Sequence, residues 1–174
     1  SIPFAKDETG FGRKERKFNS ILAGEASAKF SMLLGSVACF DCRLSQLPRD
    51  EDVVDYFRWR NEDAARNALN AHCYWLLRGQ GRNEREATVA LAGRSVADKN
   101  ELLFQNGINF NDLPAWQKRG SGLYWEPFEK TAMNPKSGEQ LTVTRRRIKR
   151  DLELPMKEAY SEFVRELIVG GSGD

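Results

Sequence analysis

The sequence predicts a mainly helical α+β chain with a β-hairpin in its last third. Apolar residues at helical spacing fill most of the first two thirds of the chain. Two stretches with strand character follow, Leu123 to Glu129 and Gln140 to Arg147, and a loop rich in Asn, Pro, Ser and Gly joins them. With 174 residues, 40 % of them hydrophobic, the chain is long enough to bury a core of its own.

The first predicted helix ends at Gly35 and begins after a capping segment, Asp7 to Thr9. Lys14 and Lys17 are three residues apart in its first turns, so they project from neighbouring positions. Because a helix N-terminus carries a partial positive charge of its own, this end of the helix is a candidate anion site.

The middle of the chain predicts a short strand and then three helices. Ser36 to Cys42 has the composition of a short buried strand, and Glu51 to Arg78 shows a long amphipathic helical pattern in which Trp59 is expected in the core. Two shorter helices follow, each with a capping side chain: Asn83 before Glu84 to Leu91, and Ser95 before Val96 to Gln105. After the hairpin, Met156 to Val169 predicts a final amphipathic helix.

The charge distribution and the sequence motifs exclude few classes of function. The net charge is +2, but basic residues concentrate at Arg13 to Lys17 and at Arg145 to Arg150. Such runs are usually solvated faces, although two of them in one chain favour a phosphate-rich partner. No phosphate-binding loop, metalloprotease or hydrolase motif occurs, and the only histidine, His72, has the setting of a core or interface residue. No apolar run approaches the roughly 20 residues of a membrane span.

Several long strings together resemble bacterial and archaeal members of the tRNA-His guanylyltransferase family. They occur in the family's order and extend the match over essentially residues 1–154. The strings are DYFRWRNEDAARNALN from Asp55, ADKNELLF from Ala97, GINFNDLPAWQKRG from Gly107, GLYWE from Gly122, NPKSGE from Asn134 and TRRR from Thr144.

This resemblance implies a 3′-to-5′ nucleotidyltransferase that acts on the 5′ end of tRNA in the cytoplasm. It implies an α+β fold in which a sheet like that of a polymerase palm packs with several helices and a C-terminal hairpin. We expect residues 1–169 to hold an incomplete palm with the helical and hairpin region, and residues 170–174 to be a flexible tail or cloning remnant. The resemblance further implies Mg²⁺ as cofactor, ATP and GTP as substrates, and a homotetramer.

The resemblance also assigns residues to roles. Lys14, Lys17 and Arg13 correspond to triphosphate contacts, and Lys99 and Asn109 to catalytic positions at the nucleotide or the tRNA 5′ end. The expected tRNA contacts are Arg66, Asn67, Arg145, Arg146 and Arg147. The charge of the last three suits contacts with the phosphate backbone.

Two departures from the family pattern matter. Ala65 stands where the family usually has a histidine, and the family's metal-binding carboxylates belong to segments N-terminal to anything in this sequence. We therefore assign no metal ligand and expect the 174 residues to be inactive by themselves. The alternative is a non-catalytic fragment for tRNA binding or oligomerisation. Maturation of tRNA-His or general 5′-end repair, and ATP or GTP, stay open.

Overall fold

The computed structural model describes residues 1–4, 6–133, 138 and 140–171 of the chain. Its longer elements in chain order are α1 (Glu15–Leu34), α2 (Asp50–Gly79), α3 (Glu84–Leu91), α4 (Val96–Phe104), α5 (Ala115–Arg119), β1 (Gly122–Met133), β2 (Gln140–Asp151) and α6 (Lys157–Gly171). Short 3₁₀ turns occupy Gly10–Arg13 and Phe110–Asp112. The chain divides into two compact units, Ser1–Val53 with the segment from Ile168 onward, and Val54–Leu167.

The α+β class is confirmed, with helices and one antiparallel two-stranded sheet in the described residues. Both hairpin strands are longer than predicted, because the pairing continues from Gly122↔Asp151 to Met133↔Gln140. The palm-like sheet stays a prediction. Of the hairpin loop predicted over Asn134 to Gly138, positions 134–137 lie outside the described residues, as do positions 172–174 of the predicted tail, whereas Gly170 and Gly171 belong to α6.

The core of the second unit lies where the C-terminal half of α2 meets α3 and α4. Its members are apolar and almost wholly buried, and partly buried Ile108 and Phe110 pack against them. The six buried members are Leu69, Cys73, Leu77, Ala87, Leu91 and Leu103. Those from α2 recur every four residues, which places them on one side of a helix with 3.6 residues per turn.

Trp59 does not belong to this core, contrary to the expectation from sequence. Its side chain is 51 % exposed, and the Arg60 guanidinium lies 5.4 Å from the centre of its ring. At 100° per residue, Trp59 lies about 140° from buried Val54 and about 160° from buried Asn61. The indole therefore lies on the opposite side of α2 from Val54 and Asn61, the buried residues nearest to it along the chain.

The short buried strand predicted over Ser36 to Cys42 is also wrong. This segment forms no sheet ladder in the described structure, and Val37 is 89 % exposed. It runs back along α1, where the Ser31 hydroxyl accepts a hydrogen bond from the Ala38 amide at 2.9 Å and donates one to the Ala38 carbonyl at 3.1 Å. Serine side chains of α1 therefore form the backbone hydrogen bonds that a neighbouring strand would otherwise form.

The predicted caps of α3 and α4 are both confirmed as reciprocal capping boxes. The Ser95 hydroxyl accepts from the Asp98 amide at 3.1 Å, and the Asp98 carboxylate accepts from the Ser95 amide at 3.0 Å. In α3 the Asn83 side chain accepts from the Glu86 amide at 2.9 Å, and Glu86 accepts from the Asn83 amide. Both helices thus begin where the sequence places their caps.

We expect Ser95→Ala to lower the free energy of unfolding by about 0.5–2 kcal/mol, because the first turn of α4 loses an acceptor for a backbone amide. Urea denaturation followed by far-UV circular dichroism measures the change. Ser95→Thr is the matched control, since it keeps a hydroxyl that can accept from the Asp98 amide and donate to the Asp98 carboxylate, and it should retain most of the stability. Equal losses in the two variants would show that the cap hydrogen bond does not stabilise α4.

Candidate functional site

The basic residues of β2 are divided between the two faces of the hairpin by its register. On one face, here called the Glu126 face, Tyr124, Glu126 and Phe128 of β1 stand opposite Lys149, Arg147 and Arg145 of β2. On the other face, called the Trp125 face, Leu123, Trp125 and Pro127 stand opposite Arg150, Ile148 and Arg146. Consecutive arginines of the TRRR string therefore project in opposite directions, because side chains alternate along a strand.

On the Glu126 face, one carboxylate holds two of the cations. Arg147 donates from Nε to Glu126 Oε1 at 2.7 Å, with a second guanidinium nitrogen at 2.7 Å from the same oxygen. The Lys149 ammonium lies 3.6 Å from Glu126 Oε2. The Arg147 guanidinium also lies 5.2 Å from the centre of the Phe128 ring. Arg147 is thus positioned within the hairpin by its own neighbours.

The base of the Glu126 face is fixed against α6. The Tyr124 ring meets the Phe163 ring edge-on with centroids 5.2 Å apart, and the Tyr124 hydroxyl donates to Asp151 at 2.9 Å. Burial, followed by the hydrogen bond to Asp151, raises the pKa of Tyr124. The hydrogen bond with Tyr124 in turn raises the pKa of Lys149, with the Glu126 carboxylate adding to the effect. This end of the hairpin is therefore an ordered part of the second unit.

The Trp125 face is open. The exposed fractions of Leu123, Trp125 and Ile148 are 71 %, 56 % and 60 %. The Arg146 guanidinium lies 5.9 Å from the centre of the Trp125 ring, within the range of a cation–π contact. The face thus combines an accessible aromatic ring with the cations Arg146 and Arg150.

On α2, the predicted pair Arg66 and Asn67 shares one carboxylate. Arg66 lies 3.4 Å from Asp63 Oδ1, and the Asn67 amide donates to Asp63 Oδ2 at 3.1 Å. Both residues are exposed on the helix surface. Asp63 orients them and offsets part of the positive charge that a phosphate would meet.

Adjacent residues of α2 contact the Lys99 backbone and the residue that follows Asn109. The Cys73 thiol donates to the Lys99 carbonyl at 3.3 Å, and the His72 ring lies 5.7 Å from the ring of Phe110, the residue after Asn109. Burial raises the pKa of the Cys73 thiol, which suits a structural donor. The setting of His72, partly buried against Phe110, confirms its interpretation as a core or interface residue.

The side chain of Asn109 is already engaged in its own turn. Its oxygen accepts from the Asn111 amide at 3.2 Å, and its amide nitrogen donates to Asp112 at 2.8 Å. It caps the short 3₁₀ turn Phe110–Asp112. An amide group has a second N–H and a second oxygen lone pair, so exposed Asn109 can contact a nucleotide while it keeps both bonds.

In the first unit, the segment before α1 has an uncommon backbone conformation. Phe11 and Arg13 have φ of 53° and 57°, values that non-glycine residues rarely adopt. The Phe11 ring lies edge-on to Phe18 of α1 at 5.2 Å. Arg13 donates to the carbonyls of Lys6 at 3.0 Å and Glu8 at 2.8 Å, so this predicted triphosphate contact holds its own loop together.

That loop delivers two exposed cations to the start of α1. Lys14 is the N-cap residue, with φ −81° and ψ 106°, and Lys17 lies in the first turn of the helix. Both side chains are exposed. The geometry therefore keeps the lysines near the backbone amides of a helix N-terminus, which favours anions.

Two kinds of feature are absent from the described part of the chain. It contains no group of three or more His, Cys, Asp or Glu side chains arranged to hold a metal ion. None of its helices combines the length and apolar character that a membrane crossing needs.

The sequence alone indicates Arg145, Arg146 and Arg147 as tRNA contacts and Arg150 as the end of a basic run, but it assigns no role to Glu126 or Trp125. The usable signal was the alternation of strand faces, which becomes specific only when the register is known. In this register Glu126 falls opposite Arg147, whereas Trp125 falls on the face of Arg146 and Arg150.

Comparison with known proteins gives a consistent result. The family described as "Thg1 C terminal domain" matches residues 51–164. A probable tRNA(His) guanylyltransferase of Drosophila melanogaster is 35 % identical over 133 residues, which are 71 % of this chain and 46 % of that protein. Its Dictyostelium discoideum counterpart is 38 % identical over 111 residues, 63 % of this chain and 42 % of that protein. The chain thus spans less than half the length of these relatives.

Solved structures show a similar fold. The crystal structure of a tRNA(His) guanylyltransferase from Saccharomyces cerevisiae matches with a TM-score of 0.56 and 27 % identity, covering 66 % of this chain and 56 % of that one. A bacterial tRNA(His) guanylyltransferase (Thg1)-like protein in complex with GTP matches with a TM-score of 0.59 and 27 % identity, covering 93 % of this chain and 61 % of that one.

Proposed function

The chain belongs to the Thg1 C-terminal domain family, and on this premise we propose that it is part of a cytoplasmic enzyme that adds nucleotides to the 5′ end of tRNA. The observation that carries the proposal is the family match together with the cationic hairpin inside the matched region. The relatives named tRNA(His) guanylyltransferase support tRNA as the partner and guanylylation as the reaction class.

The hairpin supplies the proposed tRNA contact. Arg145, Arg146 and Arg147 contact phosphates, and affinity from such contacts falls as salt rises because counterions are released on binding. Glu126 accepts from the Arg147 Nε at 2.7 Å and offsets part of its charge, so Arg147 would contact a phosphate through its remaining guanidinium donors. Arg66 and Asn67 form a second proposed tRNA contact on α2, where Asp63 orients both side chains.

The start of α1 supplies the proposed triphosphate contact. Lys14 and Lys17 bind the phosphates as point charges, and Arg13 holds the loop that presents them. The neighbour solved with GTP supports a nucleoside triphosphate as substrate. GTP is the nucleotide added, and ATP activates a 5′-monophosphate when no triphosphate is present.

Lys99 and Asn109 are proposed to meet the reacting nucleotide or the tRNA 5′ end. The thiol of Cys73 and the ring of His72, which are adjacent on α2, fix the backbone near these two residues. A lysine there would offset phosphate charge. Asn109 would position the turn and donate the second N–H of its amide.

The family's chemistry implies Mg²⁺, which would activate the attacking hydroxyl and stabilise the leaving pyrophosphate. The described residues do not fit this cofactor, because they include no group of three potential ligands. No step of the proposal for these residues runs through the metal.

A second candidate is a non-catalytic fragment that binds tRNA and supports a homotetramer. The chemistry of the site residues favours it, since all ten are lysines, arginines or asparagines. Side chains of this kind bind phosphate oxygens and need no reaction to do so. Nucleotide addition by the chain itself separates the two candidates.

The binding test uses fluorescence anisotropy of a labelled tRNA transcript at several salt concentrations. We expect the chain to bind, and we expect Arg145→Gln with Arg146→Gln to weaken binding and to lower the slope of log affinity against log salt by about 1 for each lost phosphate contact. Arg82→Gln with Arg85→Gln removes the same charge from the α3 region as a control. Equal effects of the two pairs would exclude the hairpin as the tRNA contact.

The activity test incubates the chain with 5′-triphosphorylated tRNA, radiolabelled GTP and Mg²⁺. Label incorporation would support the enzyme and contradict the expected inactivity of this chain alone. Binding without incorporation would favour the second candidate, and the absence of both binding and incorporation at low salt would exclude the proposed function in either form.

A further inference from the structure

The Trp125 face of the hairpin carries an exposed aromatic ring, which the binding of phosphates by arginines does not require. Its centre is an indole that is 56 % exposed, with the Arg146 guanidinium 5.9 Å from the ring centre. Arg150 lies on the same face, four residues along β2, or about 13 Å at strand spacing. An accessible aromatic ring is therefore flanked by cations in both directions along the strand.

From this geometry we infer that the Trp125 face stacks an unpaired nucleotide of an RNA chain, with Trp125 as the platform and Arg146 and Arg150 beside the adjacent phosphates. The inference rests on the proposed tRNA-binding function and specifies which nucleotides the hairpin contacts. Aromatic rings stack on any base because every base presents a π-face, and neighbouring cations hold the backbone.

An unpaired segment fits this face better than a double helix does. The bases of an A-form duplex are stacked on each other, and its deep, narrow major groove excludes side chains, so an exposed indole gains little there. Unpaired bases in loops and at chain ends can leave their own stack and lie on a ring. The opposite face is less suitable, since its aromatic residue Tyr124 packs against Phe163 and Glu126 occupies Arg147.

The test compares two RNA probes by fluorescence anisotropy at low salt, a single strand of mixed sequence of about ten nucleotides and a blunt duplex of the same length. We expect Trp125→Leu to weaken single-strand binding about 5-fold or more, which corresponds to the lower end of the free energy of stacking one base on an aromatic ring. The same variant should change duplex binding less than about 2-fold. Trp125→Tyr keeps an aromatic platform and should retain most of the affinity.

The matched control is Trp75→Leu, which removes an indole that is 67 % exposed on α2. An equal loss with this control, or no loss with Trp125→Leu, would overturn the inference. So would a change in sedimentation of Trp125→Leu without RNA, because the face would then be covered by a second copy of the chain. Circular dichroism verifies that each variant is folded.

The full-length tRNA transcript separates failure of this inference from failure of the proposed function. If the unmodified chain binds tRNA and Trp125→Leu binds the single strand equally well, only the stacking inference is wrong. If the unmodified chain binds neither tRNA nor the single strand at low salt, the proposed function fails and the inference fails with it.

Discussion

Leu103→Ala is expected to lower the free energy of unfolding of the second unit by about 2–5 kcal/mol. The Leu103 side chain is completely buried and belongs to the cluster that joins α2, α3 and α4. Its truncation removes buried methyl groups and leaves a cavity that three helices can close only in part. Urea denaturation followed by circular dichroism at the helical band gives the change.

Leu123→Ala is the matched control, because it makes the same chemical change in the same unit at a side chain that is 71 % exposed on β1. We expect a change within about 0.5 kcal/mol there, as for surface substitutions in general. A loss below about 1 kcal/mol for Leu103→Ala would mean that the cluster is not closely packed around this residue.

The helices of this core were predictable because their capping residues and the spacing of their apolar residues indicate the same elements. Asn83 and Ser95 are good capping residues at the positions where the helical pattern begins, and both form capping boxes. In α2 the apolar pattern predicts the helix itself, and its buried side follows Leu69, Cys73 and Leu77, which are four residues apart. Such agreement between levels makes sequence interpretation reliable.

The errors occurred where the burial of an apolar residue was assumed from its type. Val37 and Phe40 suggested a buried strand, but the backbone around them bonds to serines of α1 and both side chains are exposed. Trp59 was assigned to the core although it lies on the opposite side of α2 from Val54. Neither the partner of a segment nor the side of a helix follows from residue type alone.

The candidate site was predictable as a set of charges but not as a geometry. The sequence shows three consecutive arginines, and only the register reveals that Arg146 faces away from Arg145 and Arg147. Glu126 is more than 20 positions before Arg147 along the chain, so the ion pair between them depends on the pairing of β1 with β2. Register is a property of two strands and of the turn between them.

Asn61→Leu is expected to raise the free energy of unfolding by about 1–3 kcal/mol, because it removes an unsatisfied amide from the interior. The Asn61 side chain is only 5 % exposed, and its oxygen and nitrogen have no hydrogen-bond partner in the described part of the chain. Leucine has the same branching and no polar atom to desolvate. Urea denaturation of the variant and the unmodified chain measures the difference.

Two control variants show whether the gain in stability comes from removing the buried amide. Asn70→Leu makes the same change at an exposed position of the same helix and should alter the free energy of unfolding by less than about 0.5 kcal/mol. Asn61→Asp places a carboxylate in the same interior and should destabilise the unit, since a buried charge without a partner is costlier than an amide. A loss of stability in Asn61→Leu would instead show that the amide is hydrogen-bonded in solution, through a water molecule or a neighbouring chain, and that this polar residue stabilises α2.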